Sequence, residues 1–325
     1  MNKDANYDVV IIGSGMAGLS AGLYAGRYEL STTVIGDMLG GATSTAWTVE
    51  NYPGYKEIDG YDLIVKVKEQ NEALGVKIIN DRVSDIDKTG DGFELSLRDG
   101  GEHKIQAKTV IFAVGAARRK LGVDKEDEFS QGKGVHYCAT CDAPLYKGKT
   151  IAVVGGGDAS VKGMNLAVQY AEKVHAFVRG DALKAEPINY ERLEPHIQSG
   201  KVEIHYKTEV TELVGTERLT GVKTNDGREI ELDGLFVEIG AIPEVELAEK
   251  IGVKLDEHGY IGVNNMMETN VRGVYAAGDT TSFFGHFKQD ITAAAMGAVA
   301  ATSAFNFIGG TAAKATKEPE KVAVN

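Results

Sequence analysis

Tyr7-Asp8-Val9-Val10-Ile11-Ile12-Gly13-Ser14-Gly15-Met16-Ala17-Gly18 is a short apolar run that stops at a glycine turn, and a helical pattern follows from Leu19 to Tyr28. The run has the length of a buried strand, the glycines permit a tight bend, and Ser31 to Ile35 reads as the next strand. In this setting the Gly-x-Gly-x-x-Gly spacing is a dinucleotide-binding turn. Its first glycine makes the bend, its second lets backbone amides approach a pyrophosphate, and its third lets helix and strand pack closely.

The same grammar returns at Thr150-Ile151-Ala152-Val153-Val154, followed by Gly155-Gly156-Gly157-Asp158-Ala159-Ser160, a helix over Val161 to Tyr170 and a strand over Val174 to Arg179. The copies run Gly13 to Gly36 and Gly155 to Arg179, intervals of 23 and 24 residues, so they read as two versions of one unit. Two bound dinucleotides are expected. Between the copies, Gly75 to Leu97 and Lys104 to Val114 alternate apolar and polar residues around glycine turns, the pattern of antiparallel strands. A comparable block follows the second copy: Lys201 to Tyr206, Glu209 to Val214, Thr220 to Thr224, Glu229 to Leu232 and Leu235 to Ile239, with Asn225-Asp226-Gly227 as a hairpin turn. Val274 to Ala277 then leads into Gly278-Asp279, and a small-residue helix runs from Asp290 to Phe307. The polar tail, Thr311 to Asn325, is expected to be disordered. Boundaries between the parts fall at Ala116 to Lys120 and around Pro243.

A chain of 325 residues has room for about two domains, and 43% hydrophobic with 25% charged residues requires a packed fold. Lys+Arg 35 against Asp+Glu 47 gives a net charge of −12, which a phosphate backbone would repel, so nucleic acid is excluded as the main partner. Met1 to Asp8 carry no signal-peptide core, and Ala293 to Ala301 reads as too short to span a bilayer, so a cytoplasmic protein without membrane partners is expected.

The two cysteines both fall in Cys138-Ala139-Thr140-Cys141-Asp142. A zinc site would need two further ligands at matched spacing, which the seven histidines do not supply, so no metal is expected. A stapling disulfide across two residues would remove little entropy from the unfolded chain. Redox chemistry remains: one thiolate attacks an external disulfide and the other resolves the mixed disulfide, with Asp142 beside them able to move the proton of a leaving thiol. His136 and His286 read as solvated histidines, and Trp47 as core or interface packing.

With these pieces in order, the chain resembles the low-molecular-weight thioredoxin reductases of the pyridine nucleotide-disulfide oxidoreductase group. The likeness covers nearly the whole sequence: the first glycine turn, Glu50-Asn51-Tyr52-Pro53-Gly54, Ala113-Val114-Gly115-Ala116, the Cys-Ala-Thr-Cys-Asp segment, the second glycine turn and Gly278-Asp279. It implies an α/β fold of two Rossmann-like, three-layer domains, the second inserted into the first. An FAD domain would take residues 1–117 and 247–325, a pyridine-nucleotide domain carrying the dithiol would take 118–246, and the molecule would be a homodimer. The resemblance also implies that FAD lies at Gly13, Ser14, Gly15, Met16 and Ala17, with Gly40, Gly41 and Asn51 on the flavin side and Asp279 at the ribityl or phosphate region. Gln289 would sit near the isoalloxazine, and Gly36, Asp37, Val83, Gly115, Gly278 and Lys288 would complete that site. NADPH or NADH would use Gly155, Gly157, Asp158, Ala159, Arg179 and Lys184. Cys141 would face the flavin, Cys138 would attack the partner, thioredoxin or a thioredoxin-like protein, and Asp142 would be the acid/base. The inserted domain would rotate so that nicotinamide and dithiol take turns at the flavin.

The sequence departs from that pattern in places. Val178-Arg179-Gly180-Asp181-Ala182-Leu183-Lys184 offers one Arg and one Lys where NADPH-dependent members carry three Arg, and Lys does not replace the bidentate fork of Arg. Ala143-Pro144-Leu145 stands where Gly and aromatics are frequent, and Phe283, Phe284 and Phe287 enrich the loop before Lys288. Three further readings stay open: a donor such as ferredoxin or a deazaflavin, an oxygen-dependent dithiol oxidase, and a redox sensor without turnover.

Overall fold

The computed structural model describes residues 5–46, 48–99, 104–285 and 287–314. Trp47 and His286 lie outside them. Along the chain, β1 (Ala5–Ile12) enters α1 (Met16–Arg27), followed by β2 (Thr32–Ile35), α2 (Gly60–Ala73), β3 (Lys77–Ile79), β4 (Val83–Lys88), β5 (Phe93–Leu97) and β6 (Lys104–Phe112). A short crossing strand, β7 (Ala116–Arg118), leads to β8 (Val135–His136), α3 (Ala139–Asp142), β9 (Thr150–Val154), α4 (Asp158–Ala167), β10 (Lys173–Val178) and α5 (Pro187–Gln198). Then come β11 (Val202–Tyr206), β12 (Val210–Gly215), β13 (Leu219–Thr224), β14 (Glu229–Glu231), β15 (Gly234–Val237), the return crossing β16 (Ala241–Pro243), β17 (Val274–Ala276) and α6 (Asp290–Lys314).

The chain divides into two compact units, Met1–Ala116 with Pro243–Asn325, and Ala117–Ile242. The first is built on a seven-stranded sheet in the order β3-β2-β1-β6-β5-β4, with β17 on the C-terminal half of β6. β3, β2, β1, β6 and β17 run parallel, and their cores read as continuous apolar runs because both faces are covered. β4 and β5 pair antiparallel, β5 lying against the N-terminal half of β6. The sequence reading of Gly75 to Val114 as wholly antiparallel is therefore corrected. Lys77–Ile79 belongs to the parallel sheet beside β2, and β6 serves both pairings. Alternation reports which face is buried, and it carries no information on strand direction.

α6 covers α1. Ser20 donates its Oγ–H to the Ala294 carbonyl at 2.7 Å, and a Cβ on Gly297 would lie 2.1 Å from the Ala17 oxygen, so the helices approach closely because a glycine lies between them. The stretch Asp290–Gly309, 20 residues at mean hydropathy 1.5, is long and apolar enough to cross a membrane. That corrects the shorter reading of Ala293 to Ala301, and here one side of the stretch packs against α1. Helix also runs to Lys314, so the first residues of the tail at Thr311 are ordered, and 315–325 lie outside the described residues.

The second unit repeats the plan with an all-parallel sheet, β8-β15-β9-β10-β11. Its appendage is the antiparallel β12-β13-β14, and Asn225-Asp226-Gly227 makes the β13–β14 turn with Gly227 at φ +83°. β11 and β15, read from sequence with the appendage, belong to the parallel sheet instead. The two crossings pair with each other, and Arg119 N–H donates to the Gly240 carbonyl at 2.9 Å.

Candidate active site

In the first unit three loops meet at the start of α1. Gly13 takes φ +110°, and a Cβ there would lie 2.2 Å from the Ala113 carbonyl oxygen; a Cβ on Gly18 would lie 1.9 Å from that of Gly13. These two glycines are required by the fold. Gly15 is different: its φ is −75°, and the nearest atom to a Cβ would be 3.8 Å away, so the protein itself leaves room for a side chain. The α1 N-terminus carries no side-chain cap and no acidic residue in its first turn, so its amides remain available to an anion. Gly40, at φ +85°, donates its N–H to Ser14, and a Cβ on Gly41 would sit 3.4 Å from Gly15 Cα. A Cβ on Gly278 would sit 2.8 Å from Ala17, which brings Asp279 to the same place. Met16 and Ala17 are buried, and Ser14 donates to the Met38 carbonyl.

Around this opening Asn51 donates to Gln289 Oε1 at 2.9 Å. Lys288 bonds the carbonyl oxygens of Asp279 and Thr281 and lies over the Tyr260 ring. Burial raises the Asp279 carboxyl above the ordinary range, opposed by Lys288 and assisted by Asp290. Among the described residues that carboxylate has no hydrogen-bond partner, and neither does the buried Thr280 hydroxyl. A bare helix start, a glycine with room above it and two unpaired polar groups fit a bound dinucleotide such as FAD. Gly36 is held by packing on Ser14, Asp37 pairs with Arg98 at 3.3 Å, and Gly115 turns at φ +71°. Val83 packs in the core at 3% exposure, so its side chain is not offered to a ligand.

The second glycine turn reproduces the first. A Cβ on Gly155 would clash with Glu238 O at 2.3 Å, whereas Gly157 has φ −88° and nothing within 4 Å. Ser160 replaces the third glycine and donates to the Glu238 carbonyl. Lys184 pairs its backbone with Gly156 and Gly157 as Gly40 does with Ser14 and Gly15, so this lysine stands at the mouth of the turn. Arg179 and Lys184 are exposed and make no side-chain bond among the described residues. Ala159 lies in the first turn of α4. Asp158 is engaged inside the protein: it accepts from Glu186 N–H, Asn189 and Lys162.

Cys138 and Cys141 form a disulfide with Cα atoms 5.3 Å apart. Cys138 is half-buried and begins α3, with its Sγ accepting the Cys141 N–H at 3.2 Å, and Cys141 is exposed. A donor aimed at Cys138 stabilises a thiolate there once the bond opens. α3 rests on α4, where a Cβ on Gly163 would lie 3.1 Å from Ala139. Two residues passed over at the level of sequence complete the setting. His136 is 9% exposed rather than solvated: Nδ1 lies 2.9 Å from Asp142 Oδ2, and Nε2 lies 2.6 Å from Tyr146 Oη. Glu238 is buried behind α3, accepts from Ala139 N–H at 3.4 Å and pairs with Arg118; burial raises its carboxyl and Arg118 opposes this. Neither carries a local signal, because each is assembled by β15, far along the chain.

β10 and β11 also bring His175, Glu203 and His205 together, which linear spacing could not show. A metal-bound imidazole needs an acceptor for its other N–H. Here Arg228 stands 3.1 Å from His205 Nδ1, where an acceptor would be needed, and Lys173 already pairs with the Glu203 carboxylate at 2.8 Å.

Residues 7–301 match the pyridine nucleotide-disulphide oxidoreductase family. The chain is similar to the thioredoxin reductase of Bacillus subtilis (strain 168), 36% identical over 315 residues that cover 95% of this chain and 96% of the relative. Among solved structures it is similar to Lactococcus lactis thioredoxin reductase, with TM-score 0.86 and 33% identity over 94% of this chain and 99% of that one. It is also similar to a ferredoxin-flavin thioredoxin reductase of Clostridium acetobutylicum, with TM-score 0.51 and 34% identity over 94% and 99%. Both glycine turns and the cysteine pair fall inside the matched span, and the chain belongs to the pyridine nucleotide-disulphide oxidoreductase family.

Proposed function

We propose that this chain reduces the disulfide of thioredoxin or a thioredoxin-like protein, drawing electrons from NADPH or NADH. The observation that carries the reading is the Cys138–Cys141 disulfide, built onto the unit whose glycine turn keeps, in Gly157, a glycine the fold does not require. FAD is assigned to the first unit, about 1–117 with 247–325, and the nicotinamide donor to about 118–246. Bound FAD supplies the two-electron transfer between nicotinamide and dithiol.

The chain's own residues do the rest. The amides after Gly13 and Gly15 would meet the FAD pyrophosphate and Asp279 would hydrogen-bond its ribityl or phosphate region, while the Asn51–Gln289 pair would border the ring. Gly155 and Gly157 would receive the donor, with Arg179 and Lys184 as its cations. Cys138 attacks the partner's disulfide, Cys141 resolves the mixed disulfide, and Asp142 moves the proton. A reversible dithiol of this kind suits a reducing, cytoplasmic compartment.

The cation pair favours a second reading of the donor alone: Arg179 and Lys184 stand without a third basic partner in the segment, a weak hold on a 2′-phosphate, and one similar structure is named for ferredoxin. Anaerobic titration of the yellow protein with NADPH and, separately, NADH tests it. Prompt bleaching of the oxidised flavin band by either is expected. No bleaching by both, with dithionite still effective, would remove the nicotinamide and leave ferredoxin, a deazaflavin or a dithiol oxidase reaction.

A further inference from the structure

We propose that His136 is a positioning residue that shares a proton with Asp142, so that disulfide exchange uses a carboxylate–imidazole pair backed by Tyr146 rather than a lone carboxylate. The inference rests on the reductase reading, which gives Asp142 its role.

The arrangement is built from several elements of one unit. β8 pairs with β15 so that His136 stands beside Phe236, and the two rings stack at 5.1 Å. Tyr146 meets both edge-on, and its ring fits because residue 234 is glycine: a Cβ there would lie 2.4 Å from Tyr146 Cε1. His136 and Tyr146 are both more than nine-tenths buried, so their polar atoms need partners and have found each other. With Asp142 ionised, Nδ1–H donates to its carboxylate and the Tyr146 hydroxyl donates to Nε2. The other charged groups nearby are Arg218 and Asp233 on the Tyr146 side, Glu238 behind Ala139, and Glu126, which accepts from Tyr137.

The exchange balances through this pair. Cys138 gives its proton to the pair and attacks one sulfur of the substrate; the Cys138–substrate bond forms, the substrate S–S bond breaks, and the leaving sulfur takes the proton. Cys141 then gives its proton to the pair and attacks Cys138 Sγ. The Cys138–Cys141 bond re-forms, and the second substrate sulfur departs with that proton. Two electrons and two protons pass from dithiol to substrate.

The test follows reoxidation of the reduced flavin by an oxidised bacterial thioredoxin in anaerobic rapid mixing, from pH 5 to 9. Three variants are compared: His136→Phe keeps the stacking and removes both nitrogens, His136→Asn keeps a donor toward Asp142 without titrating, and Tyr146→Phe removes the phenol. For His136→Phe the reoxidation rate should fall by about 10–100-fold with flavin reduction unchanged. His136→Asn should recover most of the rate at one pH but flatten the pH limb, and Tyr146→Phe should move that limb. The proposal fails if the His136 variants keep the parent pH profile, whatever their rates. Should His136→Phe not fold, His136→Asn and Tyr146→Phe decide. Reducing the flavin with dithionite keeps this outcome separate from failure of the nicotinamide reading.

Discussion

Gly13 and Gly15 stand two residues apart and answer to different demands. Gly13 is fixed by its φ of +110° and by the Ala113 carbonyl, whereas a Cβ on Gly15 would meet only the Gly40 oxygen, at an ordinary contact distance of 3.8 Å. Gly13→Ala should therefore destabilise the apoprotein by roughly 2–4 kcal/mol. Gly15→Ala should leave apoprotein stability nearly unchanged and weaken FAD retention, measured by denaturant unfolding and by flavin released on gel filtration. Equal losses of stability in both would sink the distinction. Sequence motifs revealed such positions because a glycine spacing is local. The dithiol was legible for the same reason. His136 was not, since its burial is made by Phe236 and Gly234, and the engagement of Asp158 by Glu186 and Asn189 likewise lies beyond the reach of a motif.

At the scale of elements, the proposed cations for the donor lie at the end of β10 and in the loop after it. Gly180 has room, with no atom nearer than 3.8 Å to a Cβ, and Lys184 is exposed. Gly180→Arg with Lys184→Arg should raise NADPH affinity about ten-fold or more, since each charge-assisted hydrogen bond contributes roughly 1.5–3 kcal/mol. An unchanged dissociation constant in direct titration would show that these cations do not limit binding. The facing strands β10 and β11 carry a pH dependence. Burial first, then His205, Lys173 and Arg228 against the opposing Glu203, hold His175 down to about 4, and His205 is also lowered, with Asp226 opposing there. Both bind protons more readily when unfolded. The His175 contribution is thus complete above the unfolded value of 6.5 and is lost as pH falls from there toward about 4, by roughly 1–3 kcal/mol, and the lowered His205 acts in the same direction. Urea midpoints measured across that window should drop, and His175→Asn should flatten the drop; an equally steep variant would assign it elsewhere. Element order was legible because periodicity and turns are local, and strand direction was not, because it is decided by partners such as β2 for Lys77–Ile79.

For the whole molecule, two compact units with separate cores and separate glycine turns should respond to separate ligands. Added FAD should raise one thermal transition and a bound nicotinamide the other, each by about 2.7 kcal/mol at a hundred times its dissociation constant. A single transition moved by both ligands would refute independent stabilisation. The insertion itself was foreseen only through resemblance, since no linker composition announces it. It also sets an order of events on the ribosome. The second unit is one unbroken segment, Ala117–Ile242, while the first waits for β17 to complete its sheet and for α6 to cover α1. At ordinary elongation rates the delay between Ala116 and the end of α6 is on the order of ten to forty seconds. Through that interval the nascent chain presents a bare α1 face to chaperones, and the half of the enzyme that is translated first is the half that folds last.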